Sequence, residues 1–267
     1  MSLACDRFIQ QVKPFLRRFR GACRRLVSNG FLLESPAVHY WEVSDSRNSL
    51  MVLNNSLQFF SATSRIITHV NVGIFDESGD LICKRKARLD GHSSIVIDLE
   101  SELKKLNRST GSGMISAQIK PWLLSSFPAH LGSLKTQPYM IYLDQDMSIG
   151  CVHCLSNLRD PVENYAFTSS QLIDVKDVVE LRLHQINPSP ESRHVEFSLV
   201  CVDDGVKLCT KSKNVPGFGA VTYTFGLSEM RGVPFCAVRS DSGLPSCNAK
   251  PIIERVLTDG TSWFSHS

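Results

Sequence analysis

The chain of 267 residues contains no apolar run approaching the ~18 residues that a membrane-spanning helix needs, so a helical span is excluded. Glycine and proline, 16 and 12 residues, are scattered and form no collagen-like or low-complexity tract. No secretory apolar core follows the start, and no strong catalytic or nucleotide-binding motif occurs anywhere. What is present is the make-up of a folded protein: 42% hydrophobic and 21% charged residues, in a chain long enough for one large domain or two of ordinary size.

Charge is unevenly placed. The first thirty residues hold Arg7, Lys13, Arg17, Arg18, Arg20, Arg24 and Arg25 against the single acid Asp6, a balance of +6. The remainder has 22 basic and 25 acidic residues, or −3. A general nucleic-acid protein would spread basic residues over its folded face, so nucleic acid is not the expected partner. Phe8, Val12, Phe15, Phe19 and Leu26 recur on one helical face with arginines opposite, and Asn29-Gly30 supplies a stop. Residues 1–30 are therefore expected to form a basic amphipathic helix. Three roles are open to it: docking on the folded domain, organelle targeting, or contact with a membrane surface or acidic partner through Arg17, Arg18, Arg20, Arg24 and Arg25.

Nine cysteines, at 5, 23, 83, 151, 154, 201, 209, 236 and 247, are an odd number in a chain that is not small. A reduced, cytoplasmic protein is the simpler expectation than a disulfide framework.

Beyond residue 30 the texture changes to short alternating runs rich in Val, Ile, Phe and Tyr. Examples are Val70, Val72 and Ile74; Ile95, Ile97 and Leu99; and Val195, Phe197 and Leu199. Turn pairs such as Ser78-Gly79, Asp90-Gly91, Asp204-Gly205 and Asp259-Gly260 punctuate them. This is an all-β pattern.

Sliding the halves past each other reveals an internal repeat. Leu50, Asn54 and Ser56 match Leu183, Asn187 and Ser189; Gly79, Cys83, Leu89 and Gly91 match Gly205, Cys209, Val215 and Gly217; Pro138 and His153 match Pro251 and His266. The offset falls from 133 through 126 to 113, so the first copy carries extra residues, notably between Lys120 and Pro138. Two tandem β-sandwich domains of Ig-like or fibronectin-like type are expected, at 31–156 and 157–267, joined near residues 155–162.

The inserted loop, where Pro121 and Pro128 restrict the backbone, offers Trp122, Phe127 and His130 as ligand-binding candidates. His153 and His266 end both copies at the same place, which nominates them for orienting a ligand or for acid/base chemistry. Cys151-Val152-His153-Cys154 is the densest group of metal-ligand types but lacks a second pair at zinc-site spacing, so neither a metal nor a cofactor is expected. His39-Tyr40-Trp41-Glu42 is read as an aromatic strand opening that packs in the core.

The leading expectation is a non-catalytic protein that binds a glycan or a protein partner through loops of the first repeat or the groove between the two. The alternatives are an enzyme acting on a carbohydrate or small polar substrate with His153 or His266 as acid/base, and an adaptor anchored by the N-terminal helix.

Overall fold

A computed structural model describes residues 37–55, 58, 65, 67–121, 138–144, 147–153, 155–156, 167–169, 172–230, 232–242, 244 and 250–266. The expected basic helix at 1–30 with its five arginines, and Trp122, Phe127 and His130, lie outside the described residues. Among the described residues the protein is nearly all β, with four antiparallel sheets. Among the described residues no helix is long and apolar enough to cross a membrane.

In the first half the strands are β1 (Ala37–Val43), β2 (Arg47–Asn54), β3 (Ile67–Asp76), β4 (Leu81–Asp90), β5 (Ser94–Asp98), β6 (Gly111–Pro121), β7 (Tyr139–Asp144), β8 (Met147–His153) and β9 (Leu155–Ser156). They make one sheet in the order β4-β3-β6-β1-β9 and a second in the order β5-β2-β7-β8. The alternation along β2 and β3 sends every second side chain inward, so Met51 and Leu53 meet Val70, Val72 and Ile74 across the sandwich. Trp41 fills the centre, and its indole N–H donates to the Phe75 carbonyl at 2.9 Å. A short helix α1 (Leu99–Lys104), capped by Asp98, buries Leu99 and Leu103 in the same core.

The second half is built from β10 (Phe167–Thr168), β11 (Ile173–Asp174), β12 (Val178–Ile186), β13 (Arg193–Cys201), β14 (Lys207–Val215), β15 (Ala220–Gly226), β16 (Phe235–Ser240), β17 (Ile252–Leu257) and β18 (Ser262–His266). Its sheets run β10-β16-β13-β14, with β11 also on β16, and β15-β12-β17-β18. Leu181, Leu183, Phe197, Tyr223 and Phe225 form the centre of this core. The Tyr223 hydroxyl donates to the Val195 carbonyl at 2.8 Å, which satisfies its polar end inside the sandwich.

The strand orders of the two halves coincide: β4-β3-β6-β1 has the form of β14-β13-β16-β10, and β5-β2-β7-β8 that of β15-β12-β17-β18. Registers coincide as well. Tyr139 faces His153 as Ile252 faces His266. Cys83 faces Ile74 and Cys209 faces Leu199, each beside a register shift at the same point of its hairpin. The match of Leu50 to Leu183 does not follow these registers. Met51 faces Met140 where Leu183 faces Ile253, so the residue equivalent to Leu183 is Met51, one position along. A one-residue slip exchanges the two faces of a strand: Leu50 points out of its sandwich, whereas Met51 and Leu183 point in.

The halves are tightly joined. The β3–β4 turn lies on the turn between β14 and β15, where the Ala220 N–H donates to the Glu77 carbonyl at 3.1 Å and Phe75 stacks on Phe218. The backbones approach so closely that a Cβ on Gly79, itself at φ +91°, would stand 1.9 Å from the Gly217 oxygen. Ile186, Ala220, Ile252 and Phe264 of the second half belong to the first half's hydrophobic cluster. Phe264 of β18 stacks on Tyr142 of β7 with ring centres 4.0 Å apart.

Candidate functional site

The alternating polar residues of β12, Glu180, Arg182 and His184, have the pattern of a strand with one solvated face. In the folded protein that face meets the first half. Pairing with β17 sets Glu254 directly opposite Arg182, and pairing with β15 sets Thr222 opposite His184. From the other side β1 contributes Tyr40 and Glu42, and the first residue of β2 contributes Arg47.

Glu254 is the centre of the arrangement and has no solvent exposure. Its Oε1 accepts from Arg47 Nη2 at 2.8 Å and from Arg182 Nη1 at 3.3 Å, while Oε2 lies 2.9 Å from His184 Nε2. Arg47 also donates through Nη1 to Glu42 Oε2 at 3.1 Å, and its guanidinium lies over the Phe264 ring. The Tyr40 ring stacks on His184 at 4.2 Å, and its hydroxyl donates to Glu42. Thr222 Oγ1 lies 2.9 Å from His184 Nδ1. A ring that gives its Nε2 proton to Glu254 leaves Nδ1 to accept from the Thr222 hydroxyl when neutral.

Burial alone would raise the Glu254 carboxyl, but the His184 hydrogen bond and the charges of His184, Arg47 and Arg182 outweigh it and hold the pKa at about 2. For Arg47 burial opposes the charge, yet Glu254 and Glu42 raise its pKa further. Burial, reinforced by Glu42, pushes the Tyr40 phenol far above its usual range, so it stays protonated and donates.

Above this knot a groove of about 540 Å³ opens between the halves. It takes Tyr40, Glu42, Asp76, Glu77, Ser78, Arg108 and Ser112 from the first half and Arg182, His184 and Thr222 from the second. Carboxylates, guanidinium groups and hydroxyls therefore line one space. Ligand atoms of Glu42, His184 and Glu254 lie within 4.8 Å of one another, a spacing that suits a metal ion. Arg47 already bridges both carboxylates, so an ion would have to displace a buried guanidinium; the donor set fits an ion-pair knot better than a metal centre.

No family model and no curated protein matches the chain.

Of the candidates read from the sequence, Trp122, Phe127 and His130 lie outside the described residues. The strand positions of His153 and His266 are in different sheets, opposite Tyr139 and Ile252 respectively. In the strand opening His39-Tyr40-Trp41-Glu42, Tyr40 and Trp41 do belong to the core, but Tyr40 also reaches the groove, and Glu42 is a groove residue. Arg47, Arg182, His184 and Glu254 escaped the sequence reading altogether. The one available signal was Glu254, a single acid directly after Pro251, Ile252 and Ile253.

Proposed function

We propose that the protein is a binding protein made of two copies of one Ig-like sandwich, at 31–156 and 157–267, and that it holds a glycan in the groove between them. Matching strand orders and registers support the two-copy reading. The groove supports the ligand class, and one observation carries it: side chains from both halves surround a shared polar space, with Glu42, Asp76 and Glu77 set among Arg108, Arg182, Ser112 and Thr222. Neighbouring hydroxyls of a sugar each donate and accept, which suits a lining that holds both acceptors and donors. The buried knot beneath keeps the two walls in fixed relation, so little ordering cost falls on binding.

The test is a glycan array followed by calorimetry, with Arg108→Ala and Ser112→Phe beside the unaltered protein. Both substitutions touch the groove rim and leave Arg47, Arg182, His184 and Glu254 in place. Specific binding that both variants abolish supports the reading; no glycan bound, or binding indifferent to both, refutes it.

A second reading rests on the line Thr222–His184–Glu254, in which an imidazole joins a hydroxyl that faces the groove to a buried carboxylate. That is an arrangement for acid/base chemistry on a groove-bound substrate, with His184 in the role first assigned to His153 or His266. Turnover of a bound glycan that His184→Gln abolishes would favour it over simple binding.

A further inference from the structure

The outer face of the first half carries a second recess of about 610 Å³, whose described lining residues are all different from those of the groove. Its shape follows from the pairing. Gly73 lies in the middle strand β3, directly between Lys84 of β4 and Ser116 of β6, and the next outward row sets Asn71 between Lys86 and Gln118. Glycine in the central strand brings no side chain of its own to the row; the edge of the Phe75 ring lies against it, and what remains is a trough walled by Lys84 and Ser116. A Cβ there would come within 2.9 Å of the Phe75 ring and 3.1 Å of Ser116 Oγ. Phe75 and Leu81 close one end.

The charge of this trough is of one sign. Lys84, Arg85 and Lys86 line it, and no carboxylate stands among its described lining residues. Arg85 is bound to Glu102 and Arg88 to Asp90, but Lys84 and Lys86 have no ion pair among the described residues. Edge strands carry lysines to discourage pairing with other chains, and β4 is an edge strand. On the corresponding edge strand β14, counted from the matching Cys83 and Cys209, the positions equivalent to Lys84 and Lys86 are Thr210 and Ser212, so the outward pair of lysines belongs to β4 and not to β14. On β4 the two lysines are left available on the same face, roughly 7 Å apart, above a polar floor.

We propose that this trough binds an acidic oligosaccharide, one whose sugar rings carry carboxylate or sulfate. Lys84 and Lys86 meet two successive anionic groups, Asn71, Ser116 and Gln118 bond the ring hydroxyls, and Phe75 stacks on a ring face. A peptide of acidic side chains would satisfy the lysines but would leave the amide and hydroxyl floor and the aromatic end without a role. The site is separate from the groove between the halves, so either can fail alone.

Calorimetry at low salt tests it, with a sulfated hexasaccharide, a hexagalacturonate, neutral maltohexaose and hexaglutamate as probes. Saturable binding of either acidic sugar is expected, and the stronger of the two identifies the anion. The double variant Lys84→Ala/Lys86→Ala should weaken it by about tenfold or more, as the loss of two exposed ionic contacts would. Gly73→Val, which fills the trough, should weaken it with both lysines in place. Lys207→Ala on β14 and the groove variant Arg108→Ala should leave it unchanged. Both lysines are exposed, so the double variant folds and decides the matter even if Gly73→Val does not. The proposal is overturned if neither acidic sugar binds, if binding survives the double variant, or if maltohexaose or hexaglutamate binds as tightly in a mode that the double variant also removes.

Discussion

Arg47 of the first half and Glu254 of the second meet at 2.8 Å across 207 residues of sequence, both shielded from solvent. A pair so placed contributes less to net stability than its short distance suggests, because both charges had to leave water. Its value lies in direction. Arg47 must reach Glu254 and Glu42 together, which fixes how one sandwich faces the other and so shapes the groove above.

Removing one partner should therefore be costly. Arg47→Met leaves Glu254 and Glu42 short of a buried cation, and a loss of about 3–5 kcal/mol in urea-unfolding free energy is expected. The double variant Arg47→Met/Glu254→Met should be closer to the unaltered protein than the sum of the two singles. Additive losses would show that the two side chains are not coupled.

The knot also makes an acid-sensitive contribution. The Glu254 carboxyl sits at about 2 in the fold against an ordinary 4.5, so its ionised form favours the folded state at all higher pH. That contribution, about 3 kcal/mol at most, is complete above pH 4.5 and is lost as pH falls towards 2. Urea midpoints measured from pH 6 down to 2.5 should fall steeply across this window, and Glu254→Gln should flatten the curve there while lowering it at pH 6.

Two glycines at corresponding hairpin turns should respond very differently. Gly79 and Gly205 both have positive φ, +91° and +71°, but only Gly79 is pressed against the other half. Gly205→Ala should cost about 1 kcal/mol, the left-handed backbone penalty alone. Gly79→Ala must also push a backbone oxygen aside, and should cost several-fold more and disturb binding in the groove. Equal melting shifts for the two would contradict the close packing of the turns.

Asn55 and Asn187 should prove the equivalent pair, in place of Asn54 and Asn187. Asn187 Nδ2 donates to the Glu191 and Val215 carbonyls at 2.7 and 3.1 Å, and Asn55 Nδ2 donates to the Gly91 carbonyl at 2.8 Å. Alanine at either leaves buried carbonyls short of a donor, so each should destabilise by about 1–3 kcal/mol. Asn54→Ala, on the outward face of β2, should cost well under 1 kcal/mol. Thermal melts of the three variants separate the two registers.

How far the fold was legible depended on how local its cause was. Alternation along Val70, Val72 and Ile74 and along Val195, Phe197 and Leu199 announced strands, because period two is a property of neighbouring residues. Gly79 and Gly205 announced hairpins for the same reason. The pairing of Leu50 with Leu183 misled by one residue, since letters match without regard to which face they occupy. The site was much less legible. Glu180, Arg182 and His184 alternate with Val179, Leu181 and Leu183 as any half-exposed strand does, and nothing local tells a solvated face from one that a second sandwich covers.

The sequence by itself determined the all-β character and where most turns fall, because strand alternation and glycine-marked turns act within a few residues. Tertiary structure alone decided that the polar face of β12 meets β1 and β2, with His184 buried and Arg182 half-buried beside the groove. It also decided that Arg47 and Glu254 neutralise each other, and that a lysine-walled trough runs over a glycine in β3. Each of these depends on which distant side chains are brought into the same low-dielectric space, and charge burial takes its sign from the partner found there.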